Sequence, residues 1–145
     1  MKLWMSSETS REVLSEEQST KLRVASNFVE DEINLKIETI SYNIPLDSWD
    51  CIIIMMGDKS FEERIVYSIK KHDMDFRLKI DHVKFNSTDD RGRQKLIFEM
   101  LIRSLDLLEK KFTKVKPKLS PLVYNELERL KADILNVAKS KEWID

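Results

Sequence analysis

In the stretch DFRLKIDHVKF, Asp75, Arg77, Lys79 and Asp81 alternate with Phe76, Leu78 and Ile80, and His82 follows directly. A carboxylate beside an imidazole can pass protons, so one reading is an enzyme that uses Asp81 and His82 as its acid and base. The period argues for something plainer. Alternation places the four charged residues on one face of a strand and the three apolar ones on the other. Exposed pairs of this kind contribute only about 0–1 kcal/mol each. A catalytic carboxylate would need a pocket that shifts its pKa, and no such pocket is legible here. After Ile80 the next apolar residues are Val83 and Phe85, so the alternation slips by one. Either a β-bulge lies near Asp81 and His82, or the strand ends there and Phe85 tucks under the next helix. His82 then sits at a kink, where a hydrogen-bonded structural histidine is the expectation.

Other chemistry lacks its residues. One cysteine and two histidines, with no HExxH or CxxC spacing, give no expectation of a metal site. Serines are plentiful, but none lies in GxSxG or SxxK, and two glycines are too few for a phosphate-cradling loop. No catalytic residue and no cofactor are therefore expected. Cys51, inside the run WDCIIIMM, reads as a small buried hydrophobe. Lys110, Lys111, Lys114, Lys116 and Lys118 could neutralise phosphates. Only Phe112 interleaves with them and the chain is net −1, so a solvated basic connector is expected and a nucleic-acid partner is not.

The elements that must position these residues follow from periodicity. Lys2 to Ser6 reads as an opening strand. A helix starts near Thr9, where Thr9 and Glu12 have capping-box spacing, or at Ser15 with Gln18. Its inner face carries Leu14, Leu22, Ala25, Val29 and Ile33, and it frays between Ile37 and Tyr42. Trp49 to Met56 reads as a central strand, Glu63 to Lys70 as the next, and the DFRLKID stretch as the last. The connections are too short for helical crossovers, which predicts an antiparallel meander. Ser87 and Asp90 predict a helix to about Lys111, with Leu96, Ile97, Met100, Leu101, Ser104, Leu105 and Leu108 inside. Ser120 and Pro121 open a final helix whose inner face is Val123, Leu127, Leu130, Ile134 and Ala138. The expectation is one α+β domain over residues 1–145, with residues 112–145 forming a basic connector and a C-terminal helix. Its small, mainly antiparallel sheet of about four strands packs against helices, in the order strand, helix, three strands, helix, helix.

The 145 residues suffice for one core without disulfides. The longest apolar run, Cys51 to Met56, is far below the ~20 residues of a membrane span, and the N-terminus lacks a secretory pattern, so a cytoplasmic protein is expected. Charge is split. Residues 1–63 hold 13 acidic and 6 basic side chains, and residues 64–145 hold 13 acidic and 19 basic, giving −7 and +6.

MKLWMSSE, the WDCIII strand, FRLKID at Phe76 to Asp81 and RSLDLL at Arg103 to Leu108 occur in this order. Together they resemble the immunity protein 44 family, bacterial proteins that protect cells from polymorphic or contact-dependent growth inhibition toxins. The resemblance covers about residues 1–110. It implies a cytosolic inhibitor that binds the C-terminal domain of the toxin encoded beside it. It carries over no catalytic residue and no partner-contacting one. Many such toxins are nucleases with basic grooves, for which an acidic surface gives steering and orientation. The candidate face is Glu12, Glu16, Glu30 and Asp31 on the first helix, with Asp47, Asp50 and Asp58 near strand ends. The alternative is a small structural or adaptor protein that self-associates through a sheet edge or the final helix.

Overall fold

A computed structural model describes residues 2–7, 15–42, 51–57, 63–68, 73–115 and 120–144. Four strands, β1 (Lys2–Ser7), β2 (Cys51–Gly57), β3 (Arg64–Ser68) and β4 (Asp73–Lys79), form one sheet in the order β1-β2-β4-β3. The long helix α1 (Glu16–Ile37) separates β1 from β2. After β4 come a short helix α2 (His82–Ser87), then α3 (Asp90–Val115) and α4 (Ser120–Ser140).

The sheet corrects the expectation of a mainly antiparallel meander. β1 runs parallel to β2 and β2 parallel to β4, and only β3 is antiparallel, on the outer side of β4. A parallel crossover between β2 and β4 does not need a helix here, because β3 itself brings the chain back. β3 lies two strand positions along from β2, and β4 inserts between these two predecessors. The run CIIIMM carried a signal for this, since near-continuous apolar runs belong to parallel strands.

Local chemistry sets the helix starts. Ser15 Oγ accepts from Gln18 N at 3.2 Å, and Gln18 Oε1 accepts from Ser15 N at 3.1 Å, a complete capping box. Thr9 and Glu12, the other expected start, lie outside the described residues. α3 is capped by Asp89, whose carboxylate accepts from Gly92 N at 2.8 Å, and not by the Ser87 and Asp90 pair. Gly92 is required by crowding: a Cβ there would lie 1.9 Å from Thr88 Oγ1. α3 runs on to Val115, through the start of the expected connector.

Leu3, Met5, Ile52, Ile54, Met56, Phe76 and Leu78 are buried, and the strand register puts them on one face of the sheet. They join one core with Val29 and Ile33 of α1, Leu101 and Leu105 of α3, and Leu127 and Ile134 of α4. Truncating any of these to alanine would cost about 2–5 kcal/mol. Past α4, Glu142 takes φ 59° and the Trp143 N–H donates to Ala138 O, a Schellman ending with glutamate where glycine is usual. That turn buries Trp143 beside Phe98 and Phe28, with Nε1 donating to Gln94 Oε1 at 3.0 Å.

Candidate partner-binding surface

α1 does not use its acidic residues alike. β1 is an edge strand, and the backbone groups of its alternate residues point away from β2. Asn34 meets them: its Oδ1 accepts from Leu3 N at 2.7 Å and its Nδ2 donates to Leu3 O at 2.8 Å. One turn earlier, Glu30 Oε2 accepts from Met5 N at 3.0 Å. Side chains of α1 thus take the place of a fifth strand and close this edge to pairing by another chain. The β1 edge gives no support to self-association.

The predicted acidic face divides accordingly. Glu16 and Asp31 are exposed, Glu30 is half-buried on β1, and Glu12, Asp47, Asp50 and Asp58 lie outside the described residues. Sequence reasoning missed what lies beside Asp31. Val24, Phe28 and Leu35 are 58%, 39% and 74% exposed. At about 100° per residue they fall with Asp31 on one stripe, opposite Leu22, Val29 and Ile33. The signal was present in the spacing: positions 24, 28, 31 and 35 repeat by four, three and four, a second helical face on an element whose first face is already buried. Phe28 also packs edge-on to Trp143, and Lys141 lies over its ring while pairing with Glu32 at 3.0 Å.

The DFRLKID strand keeps the apolar half of its expected alternation, but its charged face is less exposed than the period suggests. Phe76, Leu78 and Ile80 are buried, Asp75 and Arg77 are half-buried, and Lys79 is exposed. Register places Trp4, Ile53 and Met55 on the same face as Asp75 and Arg77, and Trp4 is 57% exposed. Asp81 has left that row. The strand ends at Lys79, and the Asp81 carboxylate accepts from Lys84 N at 3.1 Å as the cap of α2. Phe85 tucks beneath, and no bulge is needed. His82 is half-buried and its Nε2 has no hydrogen-bond partner among the described residues. The capping role leaves Asp81 poorly placed to serve His82 as an acid–base partner.

The remaining ionic groups hold helices together. Lys131 on α4 donates to Glu109 at 2.7 Å and to Asp106 at 2.9 Å on α3. Burial lowers its pKa, but the bonds to Glu109 and Asp106 prevail and leave it raised. Burial, with a 2.5 Å hydrogen bond to Asp133, raises the Tyr42 phenol well above its ordinary range, and the Arg129 guanidinium lies over its ring. Of the lysine row, Lys110 is exposed on α3, while Lys116 and Lys118 lie outside the described residues. No cluster able to hold a metal ion occurs among the described residues, and no described helix is long and apolar enough to cross a membrane.

The fold and surface define a small α+β protein with an edge-sealing helix that presents a mixed apolar and acidic stripe. The chain belongs to the immunity protein 44 family, whose model matches residues 1–140. The match extends past the 1–110 expected, so α4 is part of the family unit. No curated protein and no solved structure matches the chain significantly.

Proposed function

We propose that the protein neutralises a bacterial toxin in the cytoplasm by stoichiometric binding to the toxin's C-terminal domain, a nuclease, without catalysis of its own. Family membership over residues 1–140 is the observation that carries this reading. Exposed Glu16 and Asp31 support a contact with a basic substrate groove, and the proposed face extends to Glu12, Asp47, Asp50 and Asp58, which lie outside the described residues. Opposite charge across such a contact raises the association rate and fixes orientation more than it adds affinity. Glu30 acts within the fold, through Met5.

The test is co-expression with the C-terminal domain of the toxin encoded beside this protein. Restored growth and recovery of a one-to-one complex are expected. A toxin domain that neither binds nor is silenced would overturn the reading. Joint charge reversal at Glu12, Glu16 and Asp31 is expected to slow association and flatten its salt dependence. If both stay unchanged, the acidic face is not the contact.

A further inference from the structure

We infer that the outward stripe of α1 is the docking element for the toxin domain, inserted as a helix into an apolar groove with a basic rim. The inference rests on the reading above and specifies its contact. Three observations support it. First, Val24 and Leu35 are large apolar residues left exposed on the outer side of α1, and Phe28 continues their stripe with one edge packed on Trp143. They span roughly 16 Å, three turns, the footprint of a helix laid into a groove through anchors at i, i+4 and i+11.

Second, the charges along this stripe have one prevailing sign. Glu17, Asp31 and Glu38 are exposed along it, against Lys21, already bound to Glu17 at 3.0 Å, and Lys141, which lies over Phe28 and is already bound to Glu32 at 3.0 Å. Arg23 and Lys36 project about 100° to either side. The stripe therefore complements a basic surface and would be repelled by an anionic membrane.

Third, Asp31 sits among the anchors and has no ion-pair or hydrogen-bond partner among the described residues. Covering the stripe must desolvate this carboxylate, which is tolerable only if the occupant supplies a cation. A second copy of the chain is a poorer match, because it presents the same acidic excess. Parallel pairing of two α1 helices sets Asp31 against Asp31, and antiparallel pairing about the middle of the stripe sets it against Phe28, whose neighbour Lys141 is already held by Glu32. An arginine or lysine on the rim of the toxin's groove would satisfy it. The scaffold beneath is held independently, by Asn34 and Glu30 on β1 and by the core face, so the stripe can be altered without altering the fold.

The experiment measures affinity of the full-length protein for the toxin's C-terminal domain by titration calorimetry, with thermal unfolding of each variant alongside. Val24→Glu with Leu35→Glu should weaken binding at least 100-fold while leaving the melting temperature within a few degrees. Asp31→Lys should weaken it at least 10-fold and reduce the salt dependence, whereas Asp31→Asn should lose less. Trp4→Ala, on the far face of the sheet, should bind as the parent does. If the parent binds and the stripe variants bind equally well, the docking assignment is overturned and the immunity reading stands. If Trp4→Ala alone loses affinity, the sheet face is the contact instead. If the parent shows no binding, both fall together. A concentration-dependent dimer of the free protein that Leu35→Glu abolishes would contradict the choice of occupant.

Discussion

Glu30 and Asp31 are adjacent acids on α1, yet they belong to different parts of the molecule. Glu30 is turned onto β1 and holds Met5 N; Asp31 is turned outward between Phe28 and Leu35. The same split repeats one turn later, where Asn34 is buried against Leu3 and Leu35 is 74% exposed. One residue of helix is about 100° of rotation, enough to separate a group that maintains the fold from one that meets a partner. Charge by itself does not distinguish the two. What each side chain touches does.

The comparison can be broken most forcefully at Asn34. Asn34→Leu keeps the volume but leaves the Leu3 N–H and C=O buried and unpaired, so a loss of roughly 2–5 kcal/mol is expected in urea unfolding. A change under 1 kcal/mol would show that the β1 edge is not held from α1. Glu30→Ala should cost less, about 1–3 kcal/mol, because it removes one bond to a charged acceptor at a half-buried site. Asp31→Ala should stay within about 0.5 kcal/mol, as for other exposed positions. If Glu30→Ala and Asp31→Ala proved equal, the division of α1 into two sides would fail.

Two smaller effects sharpen the account of how α1 is framed. Tyr42, just past the helix, is tied to Asp133 of α4. Its phenol is held above its ordinary value of about 10, so the folded chain binds that proton more tightly than the unfolded one. That contribution is complete below pH 10 and is lost as the pH rises through the folded value. Stability followed by circular dichroism should therefore fall above pH 10, and Tyr42→Phe should remove part of the fall; Lys131, also raised, acts in the same direction. At the far end of the helical layer, Glu142→Gly should stabilise by about 1 kcal/mol, since a left-handed residue with a Cβ is strained. Loss of the exposed Arg91–Glu142 pair, 2.8 Å apart, offsets little of this.

Much of this arrangement is readable from residue order because it depends on local period. Leu22, Ala25, Val29 and Ile33 of α1, the buried face of α3, and Leu127, Leu130, Ile134 and Ala138 of α4 follow from 3.6-residue spacing. Phe76, Leu78 and Ile80 follow from alternation, and Leu14 lies outside the described residues. Strand order is another matter. Short connections favour neighbouring strands, but the placement of β4 between β2 and β3 is settled by packing of the whole sheet, which no local window contains. The candidate surface was half legible for a similar reason. Acidic residues on α1 are visible as acids, but their division needs the position of β1, because only Leu3 and Met5 determine which side chains are engaged. Val24, Phe28 and Leu35 passed as ordinary helix residues because an apolar side chain does not announce which side the core lies on.

The most direct test pairs two adjacent substitutions, Asn34→Leu and Leu35→Glu, each measured for melting temperature and for affinity to the toxin's C-terminal domain at a temperature where both variants are folded. Asn34→Leu should lower the melting temperature by several degrees and leave affinity within about threefold, since it lies under the surface. Leu35→Glu should leave the melting temperature in place and weaken binding more than tenfold. An unfolding loss at Leu35 together with an intact affinity would contradict the assignment of the outer side of α1 to binding.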